Sequence, residues 1–282
     1  TEVSMKTNDE RVRKDAAWLK DVLNNSGNIL NFPTYFQSSV RLKNVLRDPN
    51  SSQQKIVAAV AVDPMMSACV VQIANTAKYH QGSKVSDLTT AVSRVGITIV
   101  KRLAIEVALK QLSSCKEILE YHEFSRTIWL HSLEVASAAN VIAQEFDAIN
   151  PYEAEFAGLV SNLGAFYLLY RAAMYEPIAM DREKVKSIVS RYYEEAGLKI
   201  LKHLDMPIDI MDAVVTSPLE GYFLDRIPRS MREVVYIARI MADAKYLWRD
   251  IHHEENMVGS IFMELGDMID QRSEENRKLY DR

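Results

Sequence analysis

Glycine is scarce in this chain, 9 residues in 282, and that scarcity narrows the accessible folds more than any other feature. Turn-rich β architectures draw on glycine for positive-φ positions, whereas the Ala-, Leu-, Glu-, Lys- and Met-rich runs between the few glycines here favour helix. The expected class is all-α. Hydrophobic residues at 48% and charged residues at 26% suit a chain that buries a core. At this length one large domain with sub-lobes, or two small domains, is expected.

The punctuation supports many short helices. Residues from about Glu10 to Asn25 read as an amphipathic lead-in helix with Val12, Ala16, Leu19 and Leu23 on one stripe. Ser51 and Gln54 are spaced as a capping box, and Asp63-Pro64 supplies a cap followed by a first-turn proline for the run Met65 to Ala77. Gly96 separates two further helices. Asn150-Pro151-Tyr152-Glu153 combines a cap, a first-turn proline and an acid, and opens a helix carrying Phe156, Leu159, Leu163, Phe166 and Tyr170 at core spacing. Later helices are expected near Asp181, Pro207 and Arg229. The runs KIVAAVAV and ITIVKRLAIEVAL hold enough β-branched residues for strands, but each lies between helix caps and reads as helical.

Charge and cysteine usage exclude several functions. The net charge is −4 and the acids interleave with every basic run, so the electrostatic footprint of a nucleic-acid binder is missing. Cys69 and Cys115 lie in helical sequence without CxxC spacing, which suggests neither disulfide framework nor zinc knuckle. A cytoplasmic location is expected, with no export signal and no membrane partner, because no apolar stretch approaches the length of about 18 residues that a spanning helix needs.

The stretch VAAVAVDPMMSACVVQIANTAKYHQGSKVSDLTTAVSRVGITIVKRLAIEVAL resembles the first half of an HDOD domain, with FPTYFQSSVRLKNVLRDPNSS as its opening helix. TIWLHSLEVASAANVIA, EAEFAGLVSNLGAFYL and EEAGLKILKHLDMPIDIMDAVVTSP follow in the order of the family's second half. The resemblance covers roughly Ile29 to Asp225. It implies an orthogonal multi-helix bundle of two packed lobes: a lead-in helix at 1–27, an HDOD-like domain at 28–225 divided near 115, and C-terminal helices at 226–282 on the second lobe.

HDOD domains are related to the HD phosphohydrolases, in which a first His, a His-Asp pair and a later Asp hold divalent metal. The resemblance places the first His at His131 and the pair at Ser161 and Asn162. The later Asp falls on Arg239 in YIARIMADAK, with a register on Asp243 also open, and two further family positions fall on Tyr193 and on Thr216-Ser217. A hydroxyl and a neutral amide cannot replace imidazole and carboxylate as ligands. No cofactor and no resident metal are therefore expected, and water activation, which needs several fixed ligands, is not expected either.

Read without the resemblance, His131 shares an inward stripe with Val135, Ala138 and Ile142 and is a hydrogen-bonded core histidine, with Asn162 as its partner. Arg239 and Asp243 are spaced for an i to i+4 ion pair on a solvated face. His252-His253 beside Glu254-Glu255 reads as a hydrated helix junction. The segment Asn256 to Leu279 carries the stripe Met257, Ile261, Leu265 and Met268, for which docking on its own domain is the expectation and pairing into a homodimer or with a partner the alternative. The expected function is a non-catalytic bacterial signalling or regulatory output module that binds a protein partner. The alternatives are a metal-dependent phosphohydrolase acting on a nucleotide or phosphoester, and a regulatory domain that binds a small ligand in the degenerate cavity.

Overall fold

The computed structural model describes residues 2–28, 31–32, 42, 45, 48, 50–76, 79, 84–147, 149–204, 206–215, 227–249, 262 and 264–280. Every regular element among them is a helix. Helix α1 spans Glu2–Asn24, α2 Gln53–Ala61, α3 Pro64–Ala74, α4 Leu88–Val95 and α5 Ile97–Ser113. A 3-10 segment at Lys116–Tyr121 leads into α6 at His122–Glu145, followed by α7 at Pro151–Val160, α8 at Leu163–Ala173 and the single turn α9 at Glu176–Ala179. Helices α10 at Arg182–His203, α11 at Ile208–Ala213, α12 at Met231–Asp243 and α13 at Gly266–Tyr280 follow. The two β-branched runs are the helices α2 and α5.

Side-chain oxygens cap several of the starts. Asp63 Oδ1 accepts the amide of Met66 at 3.1 Å, Asn150 that of Tyr152 at 3.0 Å and Asp181 that of Lys184 at 3.1 Å. The cap of α2 is Ser52, which accepts from Lys55, and not Ser51, whose hydroxyl donates to Val45 O. Gly96 separates α4 from α5 with φ +84°, a conformation that a Cβ would strain. The helix opened by Asn150 is shorter than its apolar spacing suggests. It breaks at Ser161-Asn162, where Asn162 adopts φ −103°, ψ 13°, and resumes as α8.

The chain divides into two compact units, one of residues 1–31 and 113–273, the other of residues 32–112 and 274–282. In the second unit, α2 to α5 enclose Ile56, Val60, Met66, Val70, Val100 and Leu103. Asn75 closes its α3–α4 connection by donating to Val71 O and Val85 O and accepting the Val85 amide. In the first unit, α1 presents Asp15, Val22 and Leu23 inward while Val12 is exposed, so the buried stripe is rotated from the expected one. Asp15 takes an ion pair from Lys184 of α10, and Trp18 stacks on Tyr175. No helix among the described residues is long and apolar enough to cross a membrane.

The end of the first unit docks internally. Phe262 meets Phe146 edge-on at 5.5 Å, and Leu265 and Ile269 are buried. The apolar face runs through Ile269, 1% exposed, rather than Met268, 43% exposed. Met257 and Ile261 lie outside the described residues. Two buried acids receive this helix: Arg272 donates to both oxygens of Glu155 at 3.0 and 2.7 Å, and Ser273 donates to Glu134 at 3.0 Å. Lys245 bridges Glu134 and Asp270 at 2.5 Å each.

Candidate functional site around His131

Two glycines build the first unit's centre. A Cβ on Gly158 of α7 would lie 2.9 Å from the backbone of Ala136, and one on Gly164 of α8 would lie 1.9 Å from the carbonyl oxygen of Tyr193. The absent side chains let α7 close on α6 and α8 close on α10. The break between α7 and α8 thus holds Ser161 and Asn162 near His131 of α6, with Tyr193 on the adjoining helix α10.

His131 is fully buried. Asn162 Nδ2 donates to its Nδ1 at 2.9 Å and to Ser132 Oγ at 2.9 Å. An Nδ1 that accepts leaves the ring proton on Nε2, which donates to Asp243 Oδ1 at 2.9 Å. Burial holds the imidazole below its ordinary pKa against the opposing pull of Asp243, which agrees with the neutral tautomer. Burial alone would raise the Asp243 carboxyl, but the His131 hydrogen bond and the Arg249 guanidinium outweigh it and keep the group below its usual value.

The second oxygen of Asp243 is engaged too: Arg249 Nη2 donates to Oδ2 at 2.9 Å. Arg249 Nη1 donates to the hydroxyl of Tyr193, and the guanidinium lies 5.5 Å from the Tyr193 ring centroid and 5.9 Å from that of Trp248. Trp248 sets its ring edge-on to His131 at 6.2 Å and to Tyr193 at 5.0 Å. Arg239 donates to Val214 O at 2.8 Å and Val215 O at 3.3 Å, the carbonyls that end α11. Burial pushes its pKa down to about 10.

The structure corrects the expectation of a solvated Arg239–Asp243 pair. Arg239 is 3% and Asp243 7% exposed, and each bonds to a different partner. Of the two registers open for the later acid, Asp243 is the one that touches His131. Ser161 and Tyr193 are buried beside it, whereas Thr216, Ser217 and the His252 to Glu255 cluster lie outside the described residues. Sequence reasoning missed Arg249 and Trp248, which carry no motif and reach the site only through the path of the chain after α12.

The metal of the HD phosphohydrolases does not fit this donor set. The imidazole has a hydrogen bond at each nitrogen, the carboxylate has one at each oxygen, and the other charged groups acting on the imidazole among the described residues are the guanidinium groups of Arg249 and Arg239. Among the described residues no three His, Cys, Asp or Glu side chains come together in a metal-holding group. Among the described residues, five polar atoms of this neighbourhood are buried without a hydrogen-bond partner: Ser161 Oγ, Asn162 Oδ1, Trp248 Nε1 and the Nε atoms of Arg239 and Arg249.

Comparison with known proteins follows the same lines. No curated protein matches the chain. Among solved structures it is similar to a protein of Shewanella amazonensis SB2B provisionally named a metal-dependent phosphohydrolase, at 22% identity and TM-score 0.62, covering 94% of this chain and 99% of that one. It is also similar to an HDOD domain protein of unknown function from Geobacter sulfurreducens, at 16% identity and TM-score 0.59 over 95% and 99% of the two chains. A protein of Marinobacter aquaeolei VT8 provisionally named for signal transduction matches at 18% identity and TM-score 0.51 over 89% of this chain and 59% of that one. At these identities the likeness shows the fold. The family model for the HDOD domain matches residues 32–217, and the chain belongs to the HDOD family.

Proposed function

We propose that this protein is a non-catalytic output module of bacterial signal transduction that acts by binding a protein partner. One observation carries the reading: both ring nitrogens of His131 and both carboxylate oxygens of Asp243 are already engaged, by Asn162, by each other and by Arg249. A hydrolytic centre needs ligands with free lone pairs and an open coordination position. Here the positive charge beside the carboxylate is supplied by an arginine of the chain itself. The signal-transduction name of the Marinobacter relative supports the same reading.

The test is metal content and turnover on the purified full chain. We expect no stoichiometric divalent metal and no phosphodiesterase or nucleotidase activity with added manganese, magnesium or iron. One equivalent of tightly held metal, together with turnover abolished by His131→Ala, would establish the phosphohydrolase reading instead.

A further inference from the structure

A cleft of about 640 Å³ opens between the 3-10 segment and first turn of α6 on one side and the start of α10 on the other, with Trp248 and Arg249 forming its inner end. That volume is typical of small-molecule sites. Its apolar surface comes from Phe124 and from Leu119 and Leu247, both exposed. Two large aliphatic side chains held in water at the mouth of an aromatic-floored cleft lose nothing by being covered and gain by it.

Charge indicates what kind of molecule covers them. Arg182 and Lys186 stand one turn apart along the α10 wall. Lys186 has an exposed partner in Glu183 at 3.1 Å. The opposite rim carries Glu120 and Glu123, of which Glu123 meets His122 at 3.4 Å. These rim charges are exposed, and solvent screens them. The inner end differs, because Arg249 is largely buried and its field is not screened in that way.

Behind that end, among the described residues, Arg239 and Arg249 face the buried carboxylate of Asp243, with the partly buried Glu194 also acting on Arg239. Among the described residues, both Arg Nε groups and Trp248 Nε1 are buried without an acceptor. Trp248 and Arg249 are themselves walls of the cleft. Two buried guanidinium groups around the carboxylate of Asp243 set a positive field at the inner end of the cleft, which favours a negative guest.

We infer that this cleft binds a small organic anion, a carboxylate or phosphate group on an apolar body, with the anion toward Arg249 and the Arg182/Lys186 wall and the body against Phe124, Leu119 and Leu247. The cleft borders the His131 site through Trp248 and Arg249 but is not lined by His131, Asn162 or Asp243, so the inference goes beyond the proposed function and does not require the absence of turnover.

The experiment titrates the full chain with benzoate, phenyl phosphate and neutral benzamide, followed by saturation-transfer NMR. Saturable binding of benzoate or phenyl phosphate with a dissociation constant of about 1 mM or tighter is expected, and which of the two binds tighter distinguishes carboxylate from phosphate. Benzamide should bind at least about tenfold more weakly, and the surface double variant Arg182→Gln/Lys186→Gln, which folds because both positions are exposed, should weaken the anion by about tenfold. The inference is overturned if neither anion saturates, if benzamide binds equally well, or if the double variant binds the anion as the parent does.

Discussion

Removing the carboxylate of Asp243 tests the architecture of the buried site most directly. In Asp243→Ala, Arg249 keeps its bond to Tyr193 but loses its ion pair with the carboxylate in a region where the side chain is 10% exposed. Breaking a buried pair from one side typically costs about 3–5 kcal/mol. The His131 Nε2 proton also loses its acceptor, a loss of about 1–3 kcal/mol on its own. The two losses share one carboxylate and do not add fully, so about 4 kcal/mol is expected. That is a large part of the ~5–15 kcal/mol that separates folded from unfolded chains.

Asp243→Asn retains one acceptor of the same shape and should lose about half as much, leaving either His131 or Arg249 served. Adding Arg249→Met to Asp243→Asn removes the unpaired cation and should recover at least about 1 kcal/mol. Urea denaturation followed by tryptophan emission and far-ultraviolet circular dichroism measures all three. An Asp243→Ala protein within about 0.5 kcal/mol of the parent, the range of ordinary surface substitutions, would refute the network.

Three further outcomes follow from the same structure. His131 and Asp243 both bind protons less readily folded than unfolded, so their stabilisation is present at high pH and is lost on acidification, His131's share below its ordinary 6.5 and Asp243's below 3.8; urea midpoints from pH 8 to 5 should fall in the parent and flatten in His131→Gln. Gly164→Ala drives a methyl to 1.9 Å from the Tyr193 carbonyl oxygen and should destabilise by about 3 kcal/mol or more, and an unchanged melting temperature would show that α8 and α10 separate freely. Ile269→Ala empties a buried position on α13 and should cost about 2–5 kcal/mol, whereas Met268→Ala on the exposed side should stay within about 0.5 kcal/mol, and equal effects in thermal melts would refute the docked register.

The sequence alone determined the helical class and most helix starts, because both depend on neighbours. A cap oxygen such as that of Asp63, Asn150 or Asp181 meets an amide two or three residues away, and proline and glycine act at their own φ. It also determined that His131 points inward with Asn162 as its partner. Only the tertiary structure decided which acid joins them. Asp243 lies 112 residues from His131, and one turn along α12 separates a cation that ends α11 from a carboxylate that holds the imidazole. Spacing alone gives Arg239 and Asp243 one face of a helix, which is equally compatible with solvent or core. The α7–α8 break, Arg249, and the choice of Ile269 over Met268 were hidden for the same reason. Each is set by where two helices can approach, an approach that Gly158 and Gly164 permit and that no local pattern records.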